Sequence, residues 1–213
     1  MGNRIYLTCT DVEHIPNESG WEHFFAVSGT EYEAQGHMPF LWLALFDETS
    51  IKIDTANRNG FSEDERAYAY LIDRKDRCIP RMQRLYALVS NQQENVIVRK
   101  MEEWIQRLQS EPYKNIIVRT EELDWMGKEG DLEKDLQKAL HHLSAALSRS
   151  EVRFSNAIRD LCGLSEIDEL LCCEPTWLLG GANGPAPWPE DQPPTSAAHE
   201  PIPKNNKSWW KLW

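Results

Sequence analysis

The sequence predicts an α+β fold: a predominantly helical single domain that carries a small sheet. Three stretches predict it. Between Asp131 and Arg149, Leu132, Leu136, Leu140, Leu143 and Leu147 recur at spacings of three and four, as on one face of an amphipathic helix. Asn115 to Thr120 holds Ile116, Ile117 and Val118, a β-branched run suited to a strand. Met38 to Phe46 is an uncharged apolar run of nine residues, and a bilayer span needs about 20. The rest of the protein must therefore bury it.

From the start of the chain, Arg4 to Thr10 alternates polar and apolar residues and reads as a strand. Asp11 to Gly20 is turn-rich, and His23 to Thr30, with Phe24, Phe25 and Val27, reads as a second strand. The Met38 run is predicted helical, because Pro39 suits a first turn and Leu, Ala and Trp lack β-branching. Ile51 and Ile53 close that helix or form a short strand, and Asn57 to Gly60 is a loop. Ser62-Glu-Asp-Glu65 has the form of a capping box and predicts a helix to about Lys75. Pro80 lacks a backbone donor and predicts a break, with a second helix from there to Val89.

Ser90 to Gln93 repeats the capping pattern ahead of a helix that buries Ile97, Met101, Trp104, Ile105 and Leu108. Gly127 and Gly130 bracket a turn before the leucine-striped helix. Glu151 to Cys162 predicts another helix, stopped by Gly163. A short helix from Ser165 to Cys173 and a strand from Thr176 to Leu179 follow. The globular domain is assigned to residues 1–183. Residues 184–213 form a Pro/Trp-rich C-terminal tail, with seven prolines between Pro185 and Pro203 and Trp188, Trp209, Trp210 and Trp213. Such an aromatic cluster is expected to dock on the domain rather than stand as an exposed apolar patch.

With 213 residues the chain can bury a sizeable core without a disulfide or metal staple. Its net charge of −11 disfavours nucleic acid and favours a basic protein as partner. Cys9, Cys78, Cys162, Cys172 and Cys173 include no Cys-x-x-Cys pair, as expected of reduced, buried thiols. There is no apolar leader-like stretch and no transmembrane-length run, so a cytoplasmic location and no membrane partner are expected.

Catalytic, cofactor and metal sites are expected to be absent. No two histidines stand four apart on a helix, and adjacent His141 and His142 point about 100° apart. Cys162, Cys172 and Cys173 lie among Glu166, Asp168, Glu169 and Glu174, which would raise a thiol pKa rather than activate it. Gly180 to Gly184 is followed by prolines, not by the helix N-terminus that a phosphate cradle needs.

One segment carries a functional expectation. Glu121, Glu122, Asp124, Glu129, Asp131, Glu133 and Asp135 surround Trp125 and Met126, against only Lys128 and Lys134. Acids at a helix start stabilise its dipole, which accounts for Asp131 and Glu133. An aromatic anchor ringed by carboxylates is also the form of a docking surface for a basic protein. Glu121, Glu122, Asp124, Trp125, Glu129, Asp131, Glu133 and Asp135 are therefore the candidate partner-binding residues.

Met-Gly-Asn-Arg-Ile-Tyr-Leu and Met-Pro-Phe-Leu-Trp-Leu-Ala-Leu-Phe together resemble an uncharacterised bacterial family. That family shares an initial Asn-Arg-x-Tyr-Leu and a Pro-x-x-Trp-Leu-x-Leu-Phe segment. The resemblance covers about the first 50 residues and brings no catalytic residues. The general character is similar to that of immunity proteins of bacterial toxin–immunity pairs. It implies a non-enzymatic binder that occludes the active site or substrate groove of a cognate toxin, basic at the contact. An enzyme with an unrecognised site and an oligomeric scaffold joined through the Trp-rich tail are the alternatives. The oligomeric state is open.

Overall fold

The computed structural model describes residues 4–16, 20–57, 65–90, 96–150, 155–163 and 177–179. The fold is α+β. Six strands, β1 (Arg4–Thr10), β2 (Ser28–Gln35), β3 (Ile51–Asn57), β4 (Glu65–Arg74), β5 (Asn115–Arg119) and β6 (Trp177–Leu179), form one sheet in the order β3-β4-β5-β1-β2-β6. Every neighbouring pair is antiparallel. The helices are α1 (Trp21–Ala26), α2 (Phe40–Leu43), α3 (Lys75–Ser90), α4 (Val96–Ser110), α5 (Glu121–Asp124), α6 (Asp131–Arg149) and α7 (Asn156–Cys162).

Register explains the layering. Ile51, Leu71, Val118, Leu7 and Tyr32 are successive cross-strand partners, and side chains in such a row share one face. On that face they meet the apolar stripes of α3, α4, α6 and α7 and the whole of α2 in one continuous core. The opposite face carries Tyr68, Tyr70, Ile72 and Ile117, which pack with Ile15 and with Phe24 of α1 in a smaller cluster.

The Met38 run lies at the centre of the main core: Pro39 is buried, and of Met38 and Phe40 to Phe46 only Leu41, at 7%, exceeds 3% exposure. The sequence gives α2 no polar face, and a helix apolar all round must be enclosed. It is brief. Leu43 and Ala44 make helical bonds to Pro39 and Phe40 at 3.0 and 2.9 Å, after which Leu45 and Phe46 close tighter turns to Trp42 and Leu43. Asp47 then caps a single 3-10 turn, Glu48–Ser50, accepting the Thr49 N–H at 2.9 Å.

Three expectations need correction. Residues 65–74 form β4, not a helix; Ser62 itself lies outside the described residues. Tyr68, Tyr70 and Ile72 face one cluster while Ala69 and Leu71 face the other. A strand apolar on both faces loses the alternation that identifies it, and its Tyr, Leu and Ile also fit helical spacing. Residues 21–26 form a helix and β2 begins at Ser28; Trp21 meets Phe24 edge-on and stacks on Phe25, three and four residues on, with centroids 5.5 and 5.8 Å apart.

Of the two readings open for Ile51 and Ile53, the strand is the one observed: both belong to β3, which runs on to Asn57. Pro80 does not break α3. It stands exposed early in the helix, where one backbone bond is lost, while Cys78, Met82, Leu85 and Val89 hold the inner face. The capping pattern at 90–93 falls largely outside the described residues, as do the predicted helix at 165–173, the 180–184 loop and the whole tail at 184–213.

Candidate partner-binding site

The segment from Glu121 to Asp135 is built by α5, a glycine turn and the start of α6. Gly130 precedes α6 with φ +78°, a left-handed conformation that glycine adopts without strain. The turn is pinned from β4. Arg66 ion-pairs with Asp124 at 2.9 Å and donates to the Asp124 and Gly127 carbonyls at 2.9 and 3.1 Å. Its guanidinium also stacks on Trp125, 5.1 Å from the ring centroid.

The predicted residues therefore divide by task. Asp124 is buried at 2% exposure, and Trp125 is half-buried against Arg66, so these two hold the turn in place. Glu122 accepts the Arg4 N–H at 2.9 Å, and Glu129 accepts the Ala67 N–H at 3.2 Å. Glu133 accepts from Gln137 at 2.9 Å along α6. Glu121 is half-buried, and burial raises its pKa against the pull of Arg119. Met126 stands 59% exposed at the turn.

Asp124, Asp131 and Asp135 meet at a cavity of about 540 Å³ between α5, α6, α7 and the turn that follows β2. The sequence reading missed its other polar lining: Asp160 from α7, Lys138 from α6 and His37 from the β2 turn. Apolar lining comes from Leu123, Leu132 and Leu161. α7 approaches the β2 turn closely: Met38 N–H donates to the Leu161 carbonyl at 3.2 Å, and a Cβ on Gly163 would lie 2.6 Å from His37. Asp131 accepts the Lys128 N–H at 3.3 Å and lies 3.8 Å from Lys134. Asp124 Oδ1 accepts no hydrogen bond from any described residue.

Comparison with protein-family models, with curated proteins and with solved structures finds no match to this chain. The site therefore has to be read from its own chemistry. Among the described residues, no group of three or more His, Cys, Asp or Glu side chains is placed to hold a metal ion. No described helix is long and apolar enough to cross a membrane. Cys9, Cys78 and Cys162 are buried free thiols, and burial raises the pKa of Cys9 and Cys78, which opposes nucleophilic use.

A second polar cluster lies on the opposite sheet face. The Arg119 guanidinium sits 4.6 Å from the Tyr6 ring and 5.2 Å from Trp21, and pairs with Glu31. Glu31 also accepts from Thr8 at 3.0 Å. This cation is enclosed by its own protein, and it anchors α1 to the sheet.

Burial raises the Asp124 pKa above 3.8, with Arg66 opposing and Glu129 and Asp131 adding to the rise. The native state thus binds its proton more tightly than the unfolded chain does, so this residue's contribution to stability falls as pH rises from 3.8 through the folded value. The stability difference between the native sequence and Asp124→Asn should shrink over that window as pH increases. Urea unfolding at a series of pH values measures it, and a difference that grows with pH would refute the assignment.

Proposed function

We propose that this protein is a binding protein of the immunity type, which neutralises a basic toxin by covering its active site or substrate groove. The supporting observation is the acidic cavity, where Asp131, Asp135 and Asp160 converge beside exposed Met126. Carboxylates around an apolar contact suit electrostatic steering followed by local burial. The net charge of −11 adds a long-range field of the same sign. The general character, similar to that of immunity proteins of bacterial toxin–immunity pairs, points the same way. In this reading the protein acts in the cytoplasm, needs no cofactor and catalyses no reaction.

The test is expression of the product of the neighbouring open reading frame in bacteria, with and without this chain, scored by survival and co-purification. Rescue with co-purification supports the proposal. A second reading, an enzyme that reverses the damage, draws on His37 sharing the cavity with carboxylates, and rescue without binding would select it. No toxicity from any neighbour would count against both.

The steering surface has its own prediction. Replacing Asp131 and Asp135 together with lysine should slow association on the order of tenfold at low salt and flatten its salt dependence. Stopped-flow mixing at several ionic strengths reads both quantities. Unchanged kinetics would remove this surface from the encounter.

A further inference from the structure

We propose that the outer edge of β3 pairs with the same edge of a second copy of this chain, in an antiparallel ladder centred on Ile53. The inference stands apart from the immunity reading. β3 ends the sheet order, and β4 is its one described neighbour. An unpaired strand edge is a template for a further strand.

Three contacts fix which backbone groups face outward. The Ala67 N–H donates to Glu129 at 3.2 Å, and the Ala69 carbonyl accepts from the Thr120 hydroxyl. Both β4 residues thus turn their backbone groups away from β3, where they stand opposite Thr55 and Ile53. Partners in an antiparallel pair exchange both bonds or neither, and these pairs exchange neither. Ile53 and Thr55 therefore present N–H and C=O at the open edge. Accordingly, the Thr55 N–H donates to the Asp54 side chain at 2.7 Å.

The sequence of the edge selects the partner. Outward-facing residues pair with outward-facing residues, so the two-fold axis of a self-paired strand passes through one residue. An axis at Lys52 or at Asp54 would set like charges face to face, which is unfavourable. An axis at Ile53 sets Lys52 against Asp54 on both sides, Ile51 against Thr55, and Ile53 against itself. The Lys52–Asp54 pairs then occupy non-hydrogen-bonded positions, where facing side chains lie closest. In this register each Thr55 N–H meets an Ile51 carbonyl, which releases the Asp54 carboxylate for Lys52.

Exposure fits the same axis. Ile53 shares a sheet face with Ala69 and Leu71 of the main core, yet it is 50% exposed. Its own copy would cover it. Edge charges ordinarily repel a second strand, but the alternating signs of Lys52 and Asp54 make this edge complementary to itself. A ladder of about five residues a side is small beside a standard interface, so the dimer is weak and concentration-dependent.

The experiment is sedimentation velocity of the full chain over a dilution series, with oxidative cross-linking beside it. The sedimentation coefficient should rise from the monomer towards the dimer as concentration increases. Lys52→Asp and Asp54→Lys move the net charge in opposite directions, yet each should raise the dimer dissociation constant about fivefold or more. The double exchange Lys52→Asp/Asp54→Lys should restore it. Hydrogen-bonded antiparallel partners have Cα atoms about 5.5 Å apart, within disulfide reach. Ile53→Cys should therefore cross-link above the background of the native cysteines, and Thr55→Cys, displaced from the axis, should not.

A monomer at every concentration would overturn the proposal, whether another segment of this chain or a foreign strand takes the edge instead. Dimerisation that ignores both single reversals, or cross-linking through Thr55→Cys in place of Ile53→Cys, would overturn it equally. Survival tests with a toxic neighbour bear on the immunity reading alone.

Discussion

Truncating Trp42 to alanine is expected to lower the unfolding free energy by about 3–5 kcal/mol, the range for emptying a buried tryptophan site. Trp42 is fully buried in α2, the short helix that the main core surrounds. The core cluster that holds it is drawn from several strands and helices. The substitution therefore removes both transfer free energy and packing contacts. Trp42→Phe makes a sharper comparison. The indole Nε1–H has no partner among the described residues, and a buried unpaired donor costs about 1–3 kcal/mol. Phenylalanine removes that donor and keeps most of the ring, so its loss should be less than half that of alanine. Urea unfolding of the three proteins measures the series. Equal losses for phenylalanine and alanine would show that the indole nitrogen has a partner outside the described residues.

The central position of α2 could be read from its sequence, because nine uncharged apolar residues have nowhere else to go. α6 could be read with equal clarity, down to its bounds at Asp131 and Arg149, since one face is leucine and the other charged. β1 and β5 stood out through alternation and β-branching. β4 did not, because burial on both faces erased the polar half of its pattern, and Ser62 to Glu65 offered a local helix signal that the sheet overrode.

The site divides in the same way. Its contiguous part, 121–135, announced itself by charge density. Asp160, His37 and Arg66 arrive from elements far apart in sequence and carry no local signal. Sequence alone also could not separate Asp124, spent on Arg66, from Asp135, exposed at the cavity. Both are aspartates at the edge of a helix, and only the packing of β4 against the turn makes them different.

The second large effect is expected at Arg81. Its guanidinium links three segments: it pairs with Asp73 at 2.6 Å, pairs with Asp47, and donates to the Leu45 carbonyl at 3.3 Å. It thereby ties the end of the apolar run to α3 and to the end of β4. Asp73, with an 8% exposed side chain, also accepts from Ser50 at 3.2 Å. Arg81→Ala strips the cation from Asp47 and leaves Asp73 only the exposed Arg77, 3.7 Å away. A fully buried pair broken in this way loses about 3–5 kcal/mol. The Arg81 and Asp47 side chains are 17% and 32% exposed, so solvent screening reduces the expected loss to about 2–3 kcal/mol.

The pH dependence carries a definite sign. Burial tends to raise the Asp47 pKa, but hydrogen bonds from Thr49 and the charge of Arg81 outweigh it and hold the group below 3.8. A depressed carboxylate contributes stability that is present above its unfolded pKa and lost as pH falls through the folded one. In Arg81→Ala the Asp47 pKa should rise, so the variant loses less stability than the native sequence between pH 4 and the folded value below it. The two stability curves should converge as the solution is acidified. Parallel curves would mean that Arg81 supports the fold through packing of its stem rather than through its charge.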